Sequence, residues 1–120
     1  MENRKKLLAV DDQPGIQLLL KDVLSNEGYD VETASNGQEA VDKLQHETYD
    51  LLILDYKLPI MNAEKVIGKM EEMDLNIPVI LVTGMGNTEN ELEKLNFVEK
   101  VMQKPFNIQE ICEVVQAVLS

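Results

Sequence analysis

Five side chains of this sequence, Asp11, Asp12, Asp55, Thr83 and Lys104, stand where strand-like runs end. L7-L8-A9-V10 leads into D11-D12, L51-L52-I53-L54 into D55, V79-I80-L81-V82 into T83-G84, and K100-V101-M102 into Q103-K104. Carboxylates crowded at one place repel and raise one another's pKa unless a cation neutralises them. A hard divalent ion held by a few carboxylates, waters and phosphate oxygens is the Mg²⁺ pattern. A threonine hydroxyl and the compact charge of a lysine suit phosphoryl oxygens better than a planar carboxylate. Singly, each acid reads as a cap or turn residue and Lys104 as a solvated lysine. At successive strand ends they read as one site.

That reading needs the strands to be parallel, and the alternation of periods predicts that they are. Runs that are apolar throughout, bounded by polar residues or proline, fit strands covered on both faces. Between them the apolar positions recur at helical spacing. Pro14 can take a first-turn position ahead of Ile16, Leu19, Leu20, Val23 and Leu24, and Gly28 stops that helix. V31-E32-T33-A34 is a weak strand, and N36-G37-Q38-E39 opens a helix with Ala40, Val41 and Leu44 on its apolar side. A helix from about Asn62 carries Val66, Ile67, Met70 and Met73. T88-E89-N90-E91 starts a short helix of about two turns anchored by Leu92 and Leu95. N107-I108-Q109-E110 opens the last helix, with Ile108, Ile111, Cys112, Val115 and Val118 along its apolar face.

Strict strand–helix alternation implies right-handed crossovers and an α/β, doubly wound parallel sheet with helices on both faces. In such sheets ligands bind beyond the carboxyl ends of the strands, where the five chemical residues fall. At 120 residues the chain is expected to form a single domain, 1–120, with no room for an attached output domain.

Composition narrows the partners. A formal net charge of −11, from 22 acidic against 11 basic residues, argues against a nucleic-acid partner. It is compatible with cations and basic protein surfaces. No apolar run approaches membrane-spanning length, and the N-terminus lacks the apolar core of an export signal. The single cysteine, Cys112, excludes an internal disulfide and suits a reducing compartment, so a cytoplasmic location is expected. Ile16, Leu18, Leu19 and Leu20 span more than one face of the first helix, which predicts an apolar patch beside the acidic site.

V10-D11-D12, the buried strand ending in Asp55 with Pro59 four residues on, T83-G84 and K104-P105-F106 together resemble the receiver domain of bacterial two-component response regulators. The resemblance covers essentially the whole chain and implies a flavodoxin-like, five-stranded sheet of order 2-1-3-4-5. It implies that Asp55 accepts a phosphoryl group, and that Asp11, Asp12, Asp55 and the backbone carbonyl of Lys57 hold Mg²⁺, for which Mn²⁺ can substitute. Thr83 and Lys104 would bind the phosphoryl oxygens. A carboxylate serves as nucleophile once metal and lysine neutralise the incoming charge, and no general base is needed. His46, on a polar helix, reads as a solvated residue, so the donor histidine belongs to another protein.

Within the family, D11-D12-Q13-P14-G15-I16, Lys57 and E27-G28-Y29 look most similar to stand-alone intermediates of a sporulation phosphorelay. The partners so implied are a histidine kinase, a helical-bundle histidine phosphotransfer protein and a phosphatase, docking on Gln13, Pro14, Ile16, Leu19, Lys57, Pro105 and Phe106. Two other functions compete: a stand-alone switch that binds a target when phosphorylated, and a degenerate receiver used only for protein binding. The intact acidic set weighs against the second of these. The chain also departs from the family: M61-N62-A63 stands where Met-Asp-Gly is usual, predicting a stiffer loop, and F97-V98-E99-K100-V101 puts Val101 at the usual aromatic switch position.

Overall fold

A strand covered on both faces keeps polar side chains to its ends, and burial along the sheet follows that rule. The computed structural model describes residues 4–84 and 89–120. Among them run β1 (Lys6–Val10), α1 (Pro14–Asn26), β2 (Asp30–Ala34), α2 (Gly37–His46), β3 (Leu51–Asp55), α3 (Ala63–Glu72), β4 (Val79–Thr83), α4 (Glu89–Leu92), β5 (Val98–Gln103) and α5 (Ile108–Leu119). The strands form one sheet of order β2-β1-β3-β4-β5, parallel at every pairing. Every residue of β3 and β4 is buried, whereas the edge strands β2 and β5 carry exposed positions. The doubly wound fold and its strand order match the sequence reading.

Because side chains alternate across a strand, the central runs feed two cores. Leu8, Val10, Leu52, Leu54, Val79 and Leu81 pack with α2 and α3, joined by Leu92 and Val101. Leu7, Ala9, Leu51, Ile53, Ile80 and Val82 pack with Leu20 and Leu24 of α1 and Ile111 and Val115 of α5.

Local signals set the helix ends. Asn36, Asn62 and Asn107 each accept, through the side-chain oxygen, the amide of the third residue on, at 2.8, 3.0 and 2.7 Å. At Asn36 the arrangement is reciprocal in kind, since Glu39 Oε1 accepts the Ser35 amide at 2.6 Å. Gln13 precedes α1 without a side-chain cap, and Pro14 takes the first turn. At the other end Gly28 adopts φ 98°, its amide donating to Ser25 O at 3.0 Å while the Tyr29 amide donates to Leu24 O at 3.2 Å. This pair of bonds closes the helix through a left-handed residue.

Three expectations need correction. β5 begins at Val98, two residues early, with a register irregularity opposite Val79/Ile80; on this edge the exposed Glu99 and Lys100 break the apolar signal. α4 spans four residues rather than two turns, and its expected start at Thr88 lies outside the described residues. Leu92 is buried and Leu95 packs partly against the same core, so the anchors hold. Ile108 is 49% exposed. It sits one turn ahead of Ile111, where α5 first becomes buried, so helical period alone overstates the apolar face. Among the described residues no helix is long and apolar enough to cross a membrane.

The closure of α1 gives a stability test. Gly28→Ala should lower the unfolding free energy by about 1 kcal/mol, because an alanine resists the left-handed region. Urea denaturation of both proteins checks it, and equal midpoints would mean that α1 ends independently of this residue.

Candidate functional site

Parallel register brings the strand ends to one edge. Val10 pairs with Leu54, Asp55 with Val82, and Thr83 with Gln103, so Asp11, Asp55, Thr83 and Lys104 emerge side by side. Asp11 is 3% and Asp55 7% exposed, Thr83 is wholly buried, and Asp12 faces solvent. The carboxylate oxygens of Asp11, Asp12 and Asp55 lie within 4.8 Å of one another. Lys104 reaches back over them, its Nζ 2.9 Å from Asp11 Oδ2 and 3.3 Å from Asp55 Oδ2. The Lys104 amide donates to Thr83 O at 2.8 Å, fixing the end of β5 to the end of β4. The peptide bond that follows, Lys104–Pro105, is cis.

Each acid is held in place locally. Asp11 Oδ1 accepts the Gln13 amide at 2.9 Å, a side-chain turn that starts the loop into α1. Gln17 Nε2 donates to the Asp11 carbonyl at 2.6 Å and to Ser35 Oγ at 3.0 Å, a staple that nothing in the sequence signalled. Asp55 is the last residue of β3, and the Tyr56 amide donates to Val82 O at 2.8 Å. Thr83 Oγ1 lies 3.4 Å from the Gly84 carbonyl oxygen.

Burial is the largest influence on Asp55 and raises its pKa above the ordinary 3.8; Asp11 adds to the rise, Lys104 opposes it, and Asp12 adds a smaller push. For Lys104, burial lowers the pKa, but the two carboxylates outweigh it and the net shift is upward. Three carboxylates thus face one ammonium. Their donors are all oxygen, two of the acids buried and one open to solvent. That set fits a hard divalent cation that keeps part of its hydration.

Lys57 is exposed, and with Asp12, Tyr56, Leu58, Pro59 and Asn62 it lines a recess of about 380 Å³ beside the acids. The residues expected to meet partners divide. Gln13, Pro14 and Pro105 are exposed; Ile16, Leu19 and Phe106 are half-buried, and Ile16 and Phe106 pack against the core. The residue of the first-helix patch that faces water is Leu18, 70% exposed. It shares a shallow recess with Pro14, Gln17, Lys21 and Thr33. Spacing carried this signal, since Ile16, Leu20 and Leu24 share one helical stripe and Leu18 lies across the helix from it. His46 is exposed on the last turn of α2, its Nδ1 2.6 Å from the Asp42 carbonyl oxygen.

Residues 7–116 match the response regulator receiver domain family. Sporulation initiation phosphotransferase F of Bacillus subtilis is 38% identical over 117 residues, covering 96% of this chain and 94% of that protein. The transcriptional regulatory protein PhoP for alkaline phosphatase synthesis, from the same organism, is 35% identical over 116 residues, which are 96% of this chain but 48% of PhoP. The chain therefore spans about half the length of relatives of that kind. Among solved structures, a CheY-like response regulator receiver domain protein from Methanospirillum hungatei superposes with a TM-score of 0.88 at 31% identity, covering 98% of this chain and 94% of that one. The response regulator protein TrrA from Thermotoga maritima, solved in complex with Mg²⁺–BeF, gives a TM-score of 0.81 at 35% identity, covering 96% and 99%. With its acidic pocket at the carboxyl edge of the sheet, the chain belongs to the response regulator receiver domains of two-component signalling, a family of phosphoryl-transfer proteins that bind Mg²⁺ at such a pocket.

Proposed function

We propose that this chain is a phosphorelay receiver: Asp55 takes a phosphoryl group from the phosphohistidine of a histidine kinase and passes it to a histidine on a helical-bundle phosphotransfer protein. The observation that carries the reading is the buried pair Asp11 and Asp55 bridged by Lys104, with Asp12 at its open side. Likeness to a sporulation initiation phosphotransferase along nearly all of both chains supports a relay over a transcriptional role. Val101, 4% exposed in the core, supports it too, because it offers no aromatic side chain to swing outward on phosphorylation. The same reading makes the chain cytoplasmic, with a phosphatase as a further partner.

In the transfer, an Asp55 carboxylate oxygen attacks phosphorus in line with the phosphorus–nitrogen bond. The new P–O bond forms as the P–N bond breaks, its electron pair staying on the departing nitrogen; the other ring nitrogen already carries a proton, so the donor leaves as neutral imidazole. Lys104, already against both carboxylates, is positioned to shift its charge onto a phosphoryl oxygen, and the Thr83 hydroxyl lies on the next strand end to donate to another. Bound by Asp11, Asp12, Asp55 and the Lys57 carbonyl, Mg²⁺, or Mn²⁺ in its place, would supply charge neutralisation for the carboxylates and the phosphoryl oxygens. Asp12, Lys57 and Asn62 line the recess on the side of Asp12, from which a donor would approach Asp55. Return of the group to a bundle histidine reverses the same bonds, so positioning and charge, rather than acid–base catalysis, are what the site supplies.

Asp55→Asn tests the nucleophile twice. With a small phosphodonor and Mg²⁺ the variant should show no phosphoryl adduct by mass spectrometry, whereas the parent gains one. In chelator its stability should differ with pH in a defined sense. The folded pKa of Asp55 is raised, so the folded state favours the protonated acid and ionised Asp55 subtracts stability above that pKa. The variant should melt higher than the parent at neutral pH, and its advantage should fade as pH falls through the raised pKa toward the ordinary carboxylate value. An adduct on the variant, or a constant melting difference, counts against the assignment.

The docking patch moves from Ile16 to Leu18 on the exposure seen in α1. Leu18→Ala should weaken partner affinity by about 1–3 kcal/mol if the side chain is buried at the contact, slowing protein-to-protein transfer while labelling by a small phosphodonor stays unchanged. Ile16→Ala should mainly lower the melting temperature, since it packs on the core. Lys57→Asn should shorten the aspartyl-phosphate lifetime without preventing transfer, because the lysine borders the approach of hydrolytic water; hydrolysis of labelled protein at the parent rate would remove Lys57 from that role.

A further inference from the structure

The loop between β3 and α3 contains a strained turn that phosphotransfer itself does not use. Ile60 has φ 71° and is 78% exposed, and across it the Met61 amide donates to Pro59 O at 2.7 Å. This is a γ-turn with a positive central φ, a rare and strained form, built on a β-branched residue that resists this region. Such strain persists only where the surroundings over-determine it. The surroundings lie on the far side of Met61. Its side chain packs partly against the core beneath α2 and α3, and its backbone sits on the first residue of α2, the buried Gly37.

A Cβ on Gly37 would collide with the Met61 carbonyl oxygen and stand 2.7 Å from Met61 Cβ and 2.8 Å from the Met61 carbonyl carbon. Rotating a side chain cannot relieve contacts with backbone. Among the described residues the one glycine with positive φ is Gly28, so Gly37 is not demanded by its own backbone. It is demanded by the neighbour that presses on it. The other end of the loop is tied by the Tyr56 amide to Val82 O at 2.8 Å and by the Ala63 amide to Tyr56 O at 3.4 Å. Between these fixed points lie Lys57, Leu58 and Pro59, which form one wall of the recess beside Asp12.

We propose that Gly37, remote in sequence from Asp11, Asp12 and Asp55, is a positioning residue for the Asp55 site: its bare backbone seats Met61, and that seat with the Ile60 γ-turn fixes the Lys57–Asn62 wall. The proposal rests on the phosphotransfer reading for its functional consequence, through the Lys57 carbonyl, but not for its structural content. It also predicts a sign. Alanine is the better helix former, so propensity alone would make Gly37→Ala more stable, whereas a lost seat makes the loop move.

The experiment compares the parent, Gly37→Ala and Gly37→Ala with Ile60→Gly, using two-dimensional amide spectra, calorimetric titration with Mg²⁺ alone and labelling by a small phosphodonor. For Gly37→Ala, the amides of residues 57, 58 and 60–62 should shift, and Mg²⁺ should bind about tenfold more weakly, the lower end of what a lost supporting group around a metal site produces. The added Ile60→Gly frees the chain next to Met61 to absorb the displacement, so Mg²⁺ affinity and labelling should recover toward the parent. In the parent, cross-relaxation between the Gly37 α-protons and Met61 should be present with and without Mg²⁺, a measurement that does not require the variant to fold. Parent affinity in Gly37→Ala, shifts confined to α2, no recovery in the double variant, or absent Gly37–Met61 cross-relaxation would each overturn the proposal. If the parent itself neither binds Mg²⁺ nor labels, the phosphotransfer reading fails, while the amide shifts and cross-relaxation still decide the role of Gly37.

Discussion

Two carboxylates buried against a single lysine are the constraint on which the rest of this fold depends. A buried charge is tolerated only when it is paired and hydrogen-bonded. Asp11 meets that condition with the Gln13 amide and Lys104, and Asp55 with Lys104. Lys104 can serve both only because β1, β3, β4 and β5 are parallel and end at one level, and because its backbone is tied to Thr83. The level is kept by strands with no polar interruption, which is why Leu51–Leu54 and Val79–Val82 are apolar on both faces.

The opposite edge of the sheet shows that burial, not the count of acids, creates the demand for a cation. There Lys6 Nζ lies 2.9 Å from Glu32 Oε2 and 2.5 Å from Glu47 Oε1, and the Tyr49 hydroxyl donates to Glu32 at 2.8 Å and to Glu47 at 3.2 Å. The Lys6 ammonium also stands 5.2 Å from the Tyr49 ring centroid. Its pKa is raised, chiefly by the hydrogen bond to Glu47 and then by that to Glu32. These acids keep side-chain exposures of 30% and 42%, and water screens what the lysine does not. At the carboxyl edge the acids bridged by one lysine are almost wholly buried, with Asp12 added at the rim. The first cluster closes a loop; the second holds unbalanced negative charge beside an open recess.

What could be read from residues alone follows from how local each determinant is. Asp11, Asp55, Thr83 and Lys104 were legible because an apolar run announces its own end, and parallel order converts sequence ends into a shared edge. The caps at Asn36, Asn62 and Asn107 were legible for the same reason. Determinants between elements were not. Nothing around Glu99 tells where an edge strand starts, because one side of it faces water whether or not it pairs. The exposure of Ile108 depends on where α5 meets the sheet, and the half-burial of Phe106 depends on the core beneath it. The Gly37–Met61 contact joins segments that no spacing rule relates.

The loop before α3 shows how a local rule can overlook the contacts that hold a segment. Replacement of the family's usual glycine by Ala63 predicts stiffness from the residue itself. Ala63 is wholly buried in the core and its amide closes the loop onto Tyr56, so it acts as a packed anchor rather than as a lost hinge. The exposed arc is instead marked by the γ-turn at Ile60 and by the Met61 backbone lying against Gly37 of α2. On the proposed relay reading, a site that receives and returns the same group would gain from a fixed wall, because both directions pass through one geometry and each misplaced ångström slows both. With Val101 buried in the core and the ends of β3 and β5 tied to β4, the proposed relay would use a transfer geometry that the fold already assembles.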